Sequence, residues 1–154
     1  MTLAVGMKAP DFTLPGNGGA TITLSALAGK PVVIYFYPKA DTSGCTKEAM
    51  EFTALKADFA KAGATVIGVS ADPVKALDKF QAKYDLGVAL ATDESHAMLG
   101  AYGVWVEKSM YGKKYMGIER TTLLIKADGT IGRIWNKVKV DGHAAEVLAA
   151  VKAL

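Results

Sequence analysis

The 154-residue chain has one cysteine, Cys45, only two arginines, Arg120 and Arg133, and only two histidines, His96 and His143. A single cysteine cannot close an intramolecular disulfide, so a disulfide-stapled secreted scaffold is excluded, and a reducing, cytoplasmic location is expected. No uninterrupted apolar stretch approaches the ~20 residues needed to span a bilayer. The opening MTLAVGMKAPDF also lacks the basic start and apolar stretch of a secretory leader, so no membrane association is expected. No GxSxG elbow is present for a serine hydrolase, and the glycines of PGNGGA (15–20) lead to no Lys-Ser/Thr and no helix, so they read as a turn rather than a phosphate loop. His96 and His143 fall in separate elements without a ligand-spaced partner, so no metal or cofactor is expected.

What remains is ordinary for a globular protein. Half of the residues are hydrophobic, a fifth are charged, and the net charge is only +3. Lys108, Lys113 and Lys114 form the one modest basic cluster and read as a solvated loop, which gives no basis for nucleic-acid binding. The length suits one core, so a single domain over residues 1–154 is expected.

Along the chain, VVIYFY (32–37) is continuously apolar and rich in β-branched and aromatic residues, as in a strand buried on both faces. From Thr46 to Ala62 apolar residues recur at helical spacing, and Gly63 supplies a stop. TVIGVS (65–70) predicts a second strand. Asp72 and Pro73 form a cap and first-turn pair for a helix to Tyr84. VALATD (88–93) predicts a third strand and SHAMLGAY (95–102) a short helix. Residues 103–119 read as a long connection, in which Trp105, Tyr111 and Tyr115 either pack or line a pocket. RTTLLIKADGTIGRIW (120–135) predicts two strands around Asp128-Gly129, and Asp141 a cap for a helix to Leu154. DFTL and TITL flank the PGNGGA turn as an N-terminal β-hairpin extension. Together these elements predict an α/β, thioredoxin-like fold, a mixed central β-sheet flanked by helices.

In that layout Cys45 lies beyond the carboxyl end of a strand and at the start of a helix. Free N–H groups and positive potential there favour thiolate over thiol. Thr42 or Ser43 can cap the helix, Gly44 removes bulk beside the sulfur, and Pro38 fixes the preceding turn. A free thiol is only a few per cent ionised at neutral pH, and a helix N-terminus contributes only about 0.3 to 2 kcal/mol, so a cationic partner is also needed. Arg120 would start at the same sheet edge if its strand runs antiparallel to 32–37. Arg133 reads as an ordinary surface or ion-pair residue, and His143 as a helix-face partner of Glu146. Lone cysteines are commonly small core fillers, but this position argues for chemistry. A thioredoxin-like disulfide exchanger is set aside because position 42 is Thr rather than the first Cys of CxxC.

The segment PKADTSGCTKE resembles the PxxxTxxC signature of peroxiredoxins, with Pro38, Thr42 and Cys45 in register and Glu48 one turn beyond. Together with GVWVEKSMYGKKYMGIERTTLLI, it makes the chain similar over essentially its full length to the bacterioferritin comigratory protein, or Q-type, subfamily. The resemblance implies a thiol peroxidase acting on hydrogen peroxide and organic hydroperoxides through a sulfenic acid at Cys45. It implies that Thr42 and Arg120 hold the thiolate and polarise the peroxide, that Pro38 shields the pocket, and that Glu48 orients Arg120. Where relatives carry a resolving cysteine this chain has Met50, and near Gln81, the other such place, it has none. An external thiol is therefore expected to regenerate Cys45, either thioredoxin or glutathione with glutaredoxin, and Cys45 is expected to be prone to overoxidation. The alternative is a non-turnover redox sensor or stress-binding protein built on the same cysteine. The expected assembly is a monomer, with a dimer left open.

Overall fold

The computed structural model describes residues 3–154. Nine strands and five α-helices follow one another as β1 (Thr13–Pro15), β2 (Thr21–Thr23), β3 (Val32–Phe36), α1 (Ser43–Ala54), α2 (Lys56–Lys61), β4 (Thr65–Ser70), α3 (Val74–Tyr84), β5 (Ala89–Thr92), α4 (Ala97–Ala101), β6 (Trp105–Met110), β7 (Lys113–Ile118), β8 (Thr121–Ile125), β9 (Ile131–Trp135) and α5 (His143–Lys152). The central sheet has the order β5-β4-β3-β8-β9. Its β3–β4 and β4–β5 pairs are parallel, whereas β3–β8 and β8–β9 are antiparallel.

β3 is buried along both faces because the sheet is covered on both sides. Val33, Tyr35 and Tyr37 point into a core shared with Phe52, Phe59, Leu77, Phe80 and Val147 of the flanking helices. Val32, Ile34 and Phe36 point into a second core with Phe12 and Leu14 of the N-terminal hairpin region and Leu99 of α4. The Tyr35 ring stacks on Phe52 with centroids 4.6 Å apart. On the neighbouring strand it lies over Gly68, where a Cβ would sit 2.6 Å from the Tyr35 Cζ and Oη atoms. Glycine at 68 is thus what admits a tyrosine at 35.

Several sequence expectations need correction. The helix expected over 46–62 is two, α1 and α2, broken at Leu55 (φ −98°, ψ 8°). The periodicity passes through the break, with the Phe52 and Phe59 rings 5.8 Å apart in one core, so the pattern reads as continuous. Asp72 does not cap α3, whose N-cap is Pro73. Its carboxylate instead accepts from the Ala40 N–H and the Ser70 hydroxyl, each at 2.8 Å. Asp141 does not cap α5 either. Gly142, at φ 74°, holds that position, and Asp141 pairs with Lys47 of α1. His143 is buried and bonds the Thr122 hydroxyl at 2.8 Å rather than pairing with Glu146. Arg133, by contrast, is the exposed surface residue expected; it makes no ion pair among the described residues and lies over the Trp135 ring at 4.6 Å.

The largest correction concerns residues 103–119, which are an antiparallel hairpin, β6 with β7, rather than an irregular connection. The basic cluster of Lys108, Lys113 and Lys114 is therefore on strands. The hairpin turns through Tyr111 and Gly112, both at positive φ (52° and 76°), as a two-residue type I′ turn requires. Trp105 stacks on His96 with centroids 3.8 Å apart. By contrast, Asp128-Gly129 forms the expected β8–β9 turn. Gly129 is left-handed (φ 87°), and Lys126 pairs with Thr130 around it.

Candidate active site

β3 delivers the chain to the carboxyl edge of the sheet, and the residues that follow it form the loop into α1. This is where a helix start and strand ends meet in an open α/β sheet. Two carboxylates tie this loop to its surroundings. Asp72, between β4 and α3, receives the Ala40 N–H. Asp41, within the loop, adopts a left-handed conformation (φ 61°) and reaches across to α3, where it accepts from Lys83 Nζ at 2.9 Å and Tyr84 Oη at 2.5 Å. A left-handed aspartate is uncommon and marks a place where the surroundings dictate the backbone.

Thr42 occupies the N-cap position of α1, extended in backbone, and its carbonyl accepts from Thr46 N–H at 2.8 Å. Its hydroxyl does not cap the helix. It donates to the Lys39 carbonyl at 2.8 Å, which leaves the oxygen free to accept. The N–H groups of Ser43, Gly44 and Cys45 precede the first helical bond and have no helical partner. Pro38 is exposed at the start of the loop.

Cys45 lies in the first turn of α1 with only 1% of its surface accessible. The antiparallel pairing of Phe36 with Thr121 brings the start of β8 to this edge and so carries Arg120 to the sulfur. The guanidinium forks: Nη2 donates to Cys45 Sγ at 3.3 Å, and Nη1 donates to Glu48 Oε1 at 2.5 Å. Glu48 follows Cys45 by three residues, hence on the same helix face, and is itself 1% exposed. Gly44 makes room for the fork, since a Cβ there would lie 3.3 Å from Nη2.

Burial pushes the Glu48 carboxyl up to about 7, against the lowering effect of Arg120. Among the described residues its second oxygen, Oε2, has no hydrogen-bond partner, nor does the Tyr35 hydroxyl. Burial first, and then nearby charges including Glu48 and Cys45, pushes the Tyr35 phenol well above its ordinary range. Arg120 is pulled down by burial and raised more strongly by Glu48 and Cys45, so it stays cationic. The site thus combines one sulfur, one fixed cation and one buried carboxyl, with no cluster of three metal-ligating side chains among the described residues. This arrangement can stabilise a sulfur nucleophile and then charge on a departing oxygen.

Of the residues expected from sequence, Cys45, Arg120 and Glu48 meet directly. Thr42 and Pro38 lie on the adjoining loop without a hydrogen bond to the sulfur. Sequence reasoning misses Asp41 and Asp72 as loop anchors, although Asp41 lies inside the PKADTSGCTKE motif and Asp72 at a helix start. Asp41→Ala is expected to slow oxidation of Cys45 by roughly tenfold, as loss of loop positioning does. Asp41→Gly should slow it similarly even though glycine accepts φ 61° freely, and single-turnover oxidation kinetics of both variants check this.

Comparison with known proteins gives a consistent result. The AhpC/TSA family model matches residues 5–134. Peroxiredoxin Bcp of Bacillus subtilis is 45% identical over 152 residues, covering 99% of this chain and 97% of its own. Peroxiredoxin Bcp of Xanthomonas campestris is 50% identical, covering 93% and 89%. A solved structure of the Xanthomonas campestris bacterioferritin comigratory protein, studied for alkyl peroxide reduction, superposes with a TM-score of 0.91 at 46% identity, covering 97% of this chain and 98% of that one. A cysteine-to-serine mutant of Xylella fastidiosa PrxQ superposes with a TM-score of 0.94 at 38% identity, covering 99% and 98%.

Proposed function

Because this chain belongs to the AhpC/TSA family, as a peroxiredoxin of the bacterioferritin comigratory or Q-type group, and is a thiol peroxidase, we propose that Cys45 is its peroxidatic nucleophile. On this reading residues 1–154 are one peroxiredoxin domain. The observation that carries the assignment is the Arg120 fork, which gives the sulfur a charge-assisted donor and ties that donor to Glu48.

The Cys45 thiolate attacks one oxygen of a hydroperoxide. The S–O bond forms as the O–O bond breaks, the electron pair leaves with the distal oxygen, and that oxygen takes up a proton to depart as water or alcohol. Cys45 becomes the sulfenic acid. Arg120 is positioned to bind charge as it develops on the leaving oxygen. The Thr42 oxygen, its own proton committed to Lys39, can accept the hydrogen of the incoming hydroperoxide and so orient it. Glu48 fixes the guanidinium plane, and Pro38 borders the approach. Hydrogen peroxide and organic hydroperoxides are the proposed substrates.

The chain offers no second cysteine, so the sulfenic acid is returned to thiol by an external thiol. One equivalent of hydrogen peroxide should add one oxygen at Cys45, and a following thiol should convert it to a mixed disulfide and then release it for further rounds, as followed by mass spectrometry. Oxidation spread over the methionines with Cys45 untouched would sink the assignment. Oxidation of Cys45 that no thiol reverses would instead favour a sensor.

A further inference from the structure

The β6–β7 hairpin carries a combination of features that the chemistry above does not use. Tyr111 is 98% exposed at its tip, at φ 52°. A bulky side chain in the left-handed region is strained, yet among the described residues this ring packs on nothing that would offset it. Met110 and Tyr115 beside it are also exposed, while the exposed Met116 lies on the opposite face of the hairpin.

The register places Lys108 opposite Tyr115 and Lys113 opposite Met110, so one face carries apolar and cationic side chains together. Among the described residues neither lysine makes an ion pair. Of the hairpin's three lysines only Lys114, on the other face, does so, with Glu107 at 3.7 Å. The face leads to the reactive centre. The Lys108 stem folds over Gly117, whose added Cβ would lie 3.3 Å from it, toward the base of the hairpin, and β7 ends two residues before Arg120. Lys108 is close enough to Arg120 and Cys45 for their charges to bear on its own titration, behind burial as the main influence.

We propose that this face is the docking surface for a protein thiol reductant whose contact patch is apolar and rimmed by carboxylates. The inference rests on the peroxidase reading and specifies its partner. Unpaired lysines select acidic counterparts, and exposed Tyr and Met supply apolar anchors. Length decides between a protein and a small thiol: each six-residue strand spans about 20 Å, whereas a tripeptide thiol fully extended reaches about 10 Å. Docked there, the reductant thiolate attacks the Cys45 sulfenic sulfur; the S–S bond forms as the S–O bond breaks, and the departing hydroxide takes a proton from solvent to leave as water. The reductant's second thiol then displaces Cys45 as a thiol, leaving the reductant as the disulfide.

The test uses Tyr111→Gly, which relieves the backbone as it removes the ring, and separately Lys113→Glu. Either should raise the KM for whichever of thioredoxin or glutaredoxin sustains wild-type turnover about tenfold. Oxidation of Cys45 by one equivalent of hydrogen peroxide, and its re-reduction by dithiothreitol, should be unchanged. An unchanged KM would overturn the proposal, as would an equal loss with dithiothreitol. So would wild-type turnover as fast with glutathione alone as with either protein, or sedimentation showing a dimer that Tyr111→Gly dissociates. A wild-type Cys45 inert to peroxide would instead overturn the peroxidase reading beneath it.

Discussion

Arg120→Met is expected to slow oxidation of Cys45 by hydrogen peroxide by about two to three orders of magnitude, the usual effect of removing one fixed donor from a developing oxyanion. The variant removes both arms of the fork at once, the donor to Sγ and the anchor to Glu48. Arg120→Lys should recover only part of the rate, because one ammonium cannot serve two acceptors in the fixed plane of a guanidinium. Rapid-quench mass spectrometry under single-turnover conditions reads the rate directly, with Cys45→Ser as the inactive baseline. A loss under about threefold would mean that Arg120 is not part of the reacting assembly. Circular dichroism guards against a trivial explanation: Glu48, left without its cation, takes up a proton in the folded state, so the variant should remain folded.

The second large effect is on stability. The Glu48 carboxyl holds its proton to about 7 in the fold, against an ordinary value of 4.5. Between those values the native state binds a proton that the unfolded chain has released, so unfolding free energy falls as pH rises. The stabilisation is complete below pH 4.5 and is lost through about pH 7, amounting to about 3 kcal/mol. Burial acts on His143 in the opposite sense, lowering its proton affinity, so its contribution rises as pH increases toward the ordinary 6.5. Urea midpoints from about pH 4.5 to 8 should therefore decline in the wild type, while in Glu48→Gln the decline should vanish and a shallow rise replace it. Equal slopes in the two proteins would refute the assignment of this titration to Glu48.

How far the sequence discloses this molecule depends on what each residue faces. β3, β4 and β8 are legible because both faces are buried and their residues are largely apolar. The β6–β7 hairpin is not, because it stands largely in solvent and neither face enforces an alternation. Its one local mark, Gly112 after an atypical Tyr111, is easily read as a loop. Cys45 and Arg120 come together once β3 and β8 are read as antiparallel neighbours, a conclusion from topology. The bond made by the Thr42 hydroxyl is not legible, since capping and donation to Lys39 need the same residue at the same position. Asp72 and Asp141 mislead for a related reason: each stands where a cap belongs, but a long-range partner, the Ala40 amide or the Lys47 ammonium, claims its carboxylate.

The approach of Tyr35 to Gly68 fixes an order of events for any lineage drifting away from this chain. A side chain cannot arrive at 68 while the ring remains at 35, so the aromatic must shrink first, and its Phe52 neighbour then faces a gap until the new side chain fills it. The pair can be exchanged by one route only, through an intermediate poorer than either end.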